Sequence, residues 1–449
     1  MSELCDYQVV DHLLLLVGSN PVPNAVAGKL LIAPGGTITL IHSKEGFDLA
    51  ERLQAWLERP GNSHANVGFE EVKESDAASV FTCVQHVLDE YSQVLKKQKK
   101  DTNNSNKDGT VRIGLNYTGG TKVMSVHAYL ALKSWLENKD REAIFNRQPV
   151  FSYLDARTLQ IWFEQVGMHD PISFSVGRQV SMRIDDLLDL HNWEPIKLPI
   201  KEPVLPESAK ALLTVYIHPE WYKIWNEWVR HTLPQSSEVP WPDLPKLQKA
   251  LRKELGQDDA PFLNVATVKG SGCENESMFR TWAGGTWLES AVLTALQACA
   301  KELQLEECCM DIRPRVRQSS EKEAFFQLDV AAICGYQLFA FSCTTHSGGK
   351  GDLKQKLFEA DVRARQIGGD EARTALVCSA TKKTTDALQN EMRRDIILKD
   401  RVRVFGHHHL TTDPDDPRHP TDPNDADRMA NNLAKHIKKW IIEQNGDRK

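Results

Sequence analysis

Apolar and polar positions alternate in short blocks from residue 9 to about 190. Strand-like runs "VVDHLLLLVG", "KLLIAPG", "GTITLIHS" and "VRIGLNYTGG" are separated by helix-like segments near 46–59 and 75–98, and a further helix opens at Lys122. Strands alternating with helices predict a mostly parallel sheet covered on both faces. The polar stretch "QKKDTNNSNKDG", residues 98–109, predicts an exposed loop. Four prolines from Pro195 to Pro206 then predict a semi-rigid connector. Beyond it, Trp221, Ile224, Trp225 and Trp228 recur at helical spacing after Pro219, a stripe suited to a core or a domain interface. The last region predicts a helix at 286–303, strands "DIRPRV", "FFQLDVAAI" and "YQLFAFSC", a helix at 353–366 and strand "TALVCS". Its middle strands meet at Gly335 as a hairpin. An Asp- and Pro-rich loop precedes a final helix, 427–444. The expected domains are 1–194, a connector at 195–261, and 262–449.

Length supports more than one core, since 449 residues exceed the usual single domain. No apolar run approaches the ~20 residues of a membrane helix. Glu3 and Asp6 stand where a secretory leader carries basic residues, so a cytoplasmic protein without membrane contact is expected. Nine cysteines without a CxxC pair favour reduced thiols over a disulfide framework or zinc site. The net charge of −6 requires any nucleic-acid contact to come from a local basic surface.

Two stretches carry candidate chemistry. In "NYTGGTKVM" a strand ends in Thr118-Gly119-Gly120-Thr121 and runs into a helix at Lys122. Such a turn offers unpaired N–H groups and the positive end of a helix dipole, while threonine hydroxyls and a lysine add donors and charge. That combination suits a phosphate. The first strand likewise leads into Ser19-Asn20-Pro21-Val22-Pro23-Asn24, a polar loop at a strand's carboxyl end, where open parallel sheets bind ligands. Neither GxGxxG nor GxxxxGK[ST] is present, which argues against an ordinary dinucleotide site or a P-loop.

These two motifs resemble the ligand-binding motifs of CRISPR-associated Rossmann fold (CARF) domains. The resemblance implies a Rossmann-like domain that dimerises and binds cyclic oligoadenylates made by type III CRISPR complexes. By matching position, Ser19, Asn20, Asn116, Thr118, Gly119, Gly120, Thr121 and Lys122 would line the pocket. Two-fold symmetry makes cyclic tetra-adenylate the first choice of activator.

The segments "GGTWLESAVLTAL", "FQLDVAAI" and "YQLFAFSCTT" resemble the PD-(D/E)xK nuclease core of CARF-linked effectors. That resemblance implies a C-terminal restriction-endonuclease-like α/β domain in which Glu289 and Asp329 hold Mg²⁺ or Mn²⁺ for cleavage of DNA or RNA. The next strand departs from the pattern: Ser342 and Thr344 stand where an acid and a lysine are expected. Two readings follow. Either the site no longer cuts and the domain is a scaffold, or Lys356 and Glu359 on the next helix, on one face with Arg363, complete it. Arg313, Arg315 and Arg317 alternate and are expected on one strand face, with Lys354 extending a nucleic-acid surface. The run His407-His408-His409 suggests a metal ligand set only weakly, because three adjacent side chains of an extended chain diverge.

Overall fold

The computed structural model describes residues 8–101, 111–137, 145, 148–164, 172–317, 323–345, 349–394, 398, 401–418 and 421–445. Of the loop expected at 98–109, residues 98–101 instead close the helix Ala77–Asp101, because its periodic pattern runs on into the polar stretch, and residues 102–109 lie outside the described ones. The chain forms two compact units: Met1–Trp193 with Gly368–Glu371, and Glu194–Ile367 with Ala372–Lys449.

The first unit contains β1 (Val10–Leu16), α1 (Val22–Leu31), β2 (Ile32–His42), α2 (Phe47–Leu57), β3 (Asn66–Glu71), α3 (Ala77–Asp101), β4 (Ile113–Asn116), α4 (Lys122–Leu136), β5 (Val150–Asp155), β6 (Gln160–Glu164), β7 (Ile172–Ser175) and α5 (Ile184–Leu190). Its seven strands lie in the order β3-β2-β1-β4-β5-β6-β7. The first five run parallel, and β6 and β7 are antiparallel additions. Strand order reverses direction between β1 and β4, so a crevice opens at their carboxyl ends. Val80, Val84 and Leu88 of α3 share a buried core with Met124, Leu132 and Trp135 of α4. Each such side chain stabilises the fold by about 1.5–3 kcal/mol relative to exposure.

One expected strand is mostly a helix. Pro21 is the N-cap of α1, which absorbs "VPNAVAGKLL", and only "IAPG" joins β2. Proline suits the first helical turn, where the missing N–H has no partner in any case.

The second unit contains α6 (Pro206–Ile217), α7 (Pro219–Glu227), α8 (Pro245–Glu254), α9 (Glu276–Thr281), α10 (Trp287–Leu303), β8 (Leu305–Ile312), β9 (Leu328–Cys334), β10 (Gln337–Thr344), α11 (Lys350–Gly368), β11 (Arg373–Cys378), α12 (Lys382–Arg394), β12 (Val402–Phe405), α13 (His407–Thr411) and α14 (Ala426–Gln444). The sheet order is β8-β9-β10-β11-β12. The first two pairings are antiparallel and the last two parallel. Residues after the proline stretch are integral to this unit: Leu205, Leu212, Trp225 and Trp228 share one core with Trp287, Leu296 and Phe339. Trp225 and Trp228 stack with centroids 5.2 Å apart.

The first strand of this sheet begins at Leu305 and takes in only the first two residues of "DIRPRV". It ends at Ile312, and Asp311 adopts a left-handed φ of 59°. Only Pro314–Val316 is extended beyond it, so the arginines do not alternate along one continuous strand. Among the described residues no helix is long and apolar enough to cross a membrane, and the eight described cysteines are free thiols.

Candidate functional site

The glycine turn and the β1 loop meet backbone to backbone. A Cβ on Gly119 would lie 2.1 Å from the Leu16 carbonyl oxygen, and one on Gly18 would lie 2.7 Å from the Gly120 nitrogen. Glycine is therefore required at the turn first by close packing between neighbouring loops. Gly120 has φ 73°, a conformation that carries the chain into α4. Asn24, fully buried, donates from Nδ2 to the Leu16 oxygen at 2.9 Å and fixes the end of β1. It belongs to helix α1 rather than to a polar loop.

The polar side chains divide into those spent on the fold and those left over. Asn116 is fully buried, accepts from the Thr118 N–H at 3.2 Å and donates to Ser152 Oγ at 3.0 Å. Thr118 Oγ1 accepts from the Leu154 N–H at 2.7 Å, tying the turn to β5. Thr121 is the N-cap of α4: Oγ1 accepts from the Met124 N–H at 3.2 Å and donates to the Glu74 carbonyl at 3.0 Å. The N–H groups of Lys122 and Val123 open the helix and have no intrahelical acceptor. Lys122 is exposed. Ser19 lies exposed at the tip of the β1 loop. Asn20 accepts from the Val22 N–H at 3.2 Å and donates to Glu371 at 2.8 Å. Tyr153, 39% exposed on β5, stacks 6.0 Å from Tyr117 and adds an aromatic face beside the turn. The eight residues expected here thus gather at one crevice, where Asn116, Thr118 and Thr121 are anchors and Lys122 is the uncommitted cation.

A second cluster lies in the other unit. Glu289 on α10 is 7% exposed, and its Oε2 is buried without a hydrogen-bond partner. Burial, then the charges of Asp329 and Asp311, push its carboxyl up to about 9. Asp329 on β9 faces β10, where Oδ2 accepts from the Cys343 N–H at 2.8 Å and from Ser342 Oγ at 3.3 Å. Its carboxyl is also raised by burial, against the pull of those two bonds and of the Lys356 and Arg363 charges. Two desolvated acids, one with an orphaned oxygen and raised further by the charge of the other, fit a divalent cation that would neutralise both.

The remaining expected residues are distributed differently. Thr344 is buried, with its carbonyl accepting from the Tyr216 hydroxyl at 2.8 Å. Glu359 accepts from Arg363, which also donates to the Gln327 carbonyl at 3.2 Å. Among the described residues no group of three His, Cys, Asp or Glu side chains could hold a metal ion; Glu359 itself is exposed on α11. It borders a groove of about 760 Å³ with Phe325, Phe358 and Val362. Arg313 bonds Asp311 at 2.6 Å, and Arg315 bonds Glu194 at 2.7 Å. Arg317 lies in the turn after Val316. Lys350 and Lys354 share the Glu391 carboxylate, each at 2.5 Å. Most of the expected basic surface is thus already neutralised. The three histidines fall on α13, where His409 Nδ1 accepts from the Gly406 N–H at 3.0 Å; burial first of all lowers the proton affinity of all three.

The first unit is thus a five-stranded parallel switch-point sheet extended by two antiparallel strands, and the second a mixed sheet built on an acid-bearing helix and hairpin. The chain is similar in structure to protein VC1899 from Vibrio cholerae, at 15% identity and TM-score 0.62, covering 97% of this chain and 99% of that one. It is also similar to Can2 from Sulfobacillus thermosulfidooxidans, solved in complex with cyclic tetra-adenylate, at 14% identity and TM-score 0.60, covering 96% of this chain and 99% of that one. Likeness at these identities establishes the fold. No protein-family model matches the sequence, and no curated protein matches it.

Proposed function

We propose that the chain is a cyclic-oligoadenylate-responsive effector of type III CRISPR defence, with cyclic tetra-adenylate as activator and a metal-dependent phosphodiesterase as output. The carrying observation is the crevice at the β1/β4 switch point, where helix-opening N–H groups and an uncommitted lysine converge in a fold shared with a protein solved with that ligand. A cyclic tetranucleotide presents phosphates to the turn and bases to aromatic faces such as Tyr153.

A homodimer follows from the ligand's symmetry and from the outer face of α4. Val126 is 54% exposed and Leu130 46% exposed. With Lys122 and Lys133 they form one solvent-facing stripe that begins at the ligand turn. Pairing two copies through this stripe sets two turns around one ring.

In the second unit Glu289 and Asp329 would hold Mg²⁺ or Mn²⁺, which when bound activates water and stabilises charge on a phosphoryl group. Ser342 and the Cys343 N–H orient Asp329, and Lys356 supplies positive charge near it for the scissile phosphate of DNA or RNA. Ser342 and Thr344 in place of an acid and a lysine support a second reading, a ligand-gated scaffold that does not cut. Calorimetry against cyclic tri-, tetra- and hexa-adenylate, followed by cleavage assays on DNA and RNA with Mg²⁺ and Mn²⁺, separates them. Binding with ligand-stimulated cleavage supports the effector; binding without cleavage under either metal supports the scaffold; no binding of any ring defeats both.

A further inference from the structure

Asn20, in the β1 loop, is braced by a segment far away in sequence. Its Nδ2 donates to Glu371 Oε2 at 2.8 Å across 351 residues, and its Oδ1 accepts from the Val22 N–H at 3.2 Å. Glu371 is fully buried. Gly369 has φ 63°, and a Cβ there would lie 2.3 Å from Asn20 Oδ1 and 2.5 Å from Nδ2. Gly368–Glu371 therefore packs as part of the first unit, although it is the turn that leaves α11 and enters β11 at Arg373. Burial first, with the charges of Asp155, Glu371 and Asp370, raises the Tyr153 hydroxyl, which places the same segment beside the aromatic wall of the crevice.

We propose that Glu371 and Gly369 are positioning residues of the ligand site: they hold the Asn20 amide between α1 and the α11–β11 turn, so that occupancy of the β1 loop is felt by the chain carrying Lys356. The inference rests on the cyclic-oligoadenylate reading above. A carboxylate in an anion site is unfavourable unless sheltered, and burial behind Asn20 shelters Glu371, so that a phosphate meets an amide donor instead. Because Gly369 admits no side chain against the Asn20 amide, any displacement of Asn20 by ligand must be accommodated by the turn itself. That turn is covalently continuous with α11 on one side and β11 on the other.

The test uses the full-length chain with cyclic tetra-adenylate, read by calorimetry and by amide hydrogen exchange over residues 353–378. In the parent, saturating ligand changes exchange in this segment. Glu371→Ala is expected to weaken binding by about fivefold or more and to abolish that change. It is also expected to speed exchange of the Val22 amide without ligand. Glu371→Gln keeps an acceptor for Asn20 and is expected to restore parental behaviour. Should Glu371→Ala fail to fold, Gly369→Ala, whose Cβ displaces the Asn20 amide, is expected to give the same losses. Parental affinity together with an unchanged exchange response in Glu371→Ala, or in Gly369→Ala where it stands in, overturns the proposal. Failure of the parent to bind any cyclic adenylate overturns the ligand reading itself, a distinguishable result, and this inference with it.

Discussion

Lys122 occupies the first position of α4, and among the described residues its ammonium makes no hydrogen bond or ion pair. Nothing in the fold depends on its charge, whereas a phosphate at the helix N-terminus would. Lys122→Ala is therefore expected to change stability by less than about 0.5 kcal/mol. It should weaken cyclic tetra-adenylate binding tenfold or more, about 1.4 kcal/mol, as measured by calorimetry. Glu289 is the opposite case, a residue whose charge strains the fold. If Mn²⁺ binds the ionised Glu289–Asp329 pair as proposed, it is expected to raise the melting temperature of the parent by several degrees through mass action. Glu289→Gln retains the shape and removes the ligand charge. Its melting temperature is expected to move by less than about 1 °C on adding Mn²⁺, measured by calorimetric scans at equal metal concentration.

At the scale of elements, the turn at Thr118–Lys122 was legible in the sequence because its determinants are local: two glycines, a threonine cap and a helix behind them. Glu289 and Asp329 are legible only through the resemblance of "GGTWLESAVLTAL" and "FQLDVAAI" to the PD-(D/E)xK core, not through any local signal of their own. What the sequence concealed depends on distant partners. Arg315 looks like a free basic residue until Glu194, 121 residues away, is placed against it. Glu371 carries no local signal at all, since its partner Asn20 precedes it by 351 residues. The start of α1 was misjudged for another reason: two prolines suggest a loop, yet proline at N1 also begins a helix. His12, on β1 within the central sheet, offers an element-scale prediction. It is 1% exposed, bonds Thr39 Oγ1 at 2.9 Å, and burial lowers its pKa from 6.5 to about 3. Its folded pKa lies below its unfolded one, so the unfolded chain binds more protons between these values. The contribution is fully present above about pH 6.5 and is lost as pH falls toward 3. His12→Leu is expected to flatten the dependence of denaturation midpoint on pH between 4 and 6.5. An unchanged slope would show that other groups dominate in that range.

At the scale of the whole molecule, a net charge of −6 repels nucleic acid, so productive contact depends on how many cations are uncommitted. Arg313, Arg315, Lys350 and Lys354 are each paired with a carboxylate, which among the described residues leaves Lys356 and the partly engaged Arg363 as the cations acting on Asp329. Counterion release by one or two cations on a single strand gives a log–log salt slope of about −0.7 to −1.4. The reciprocal of substrate KM measured from 50 to 200 mM salt should follow that shallow slope; one near about −4 would mean that the paired arginines and lysines exchange their carboxylates for phosphates. The proposed homodimer would make a separate demand on the same surface. Val126 and Leu130 are larger exposed apolar groups than an isolated helix face with no further role requires, and they stand one turn apart on α4. Leu130→Arg places a charge where two copies of the stripe would meet, at no cost to the buried face of Met124, Leu132 and Trp135. The variant is expected to melt within about 2 °C of the parent yet to run as a monomer in light scattering at micromolar concentration. Because one ring is then gripped by a single turn, its affinity for cyclic tetra-adenylate should fall by about 10²-fold or more. A variant that stays dimeric and binds normally would move the two-fold axis away from α4, and with it the argument that links ring symmetry to this face of the protein.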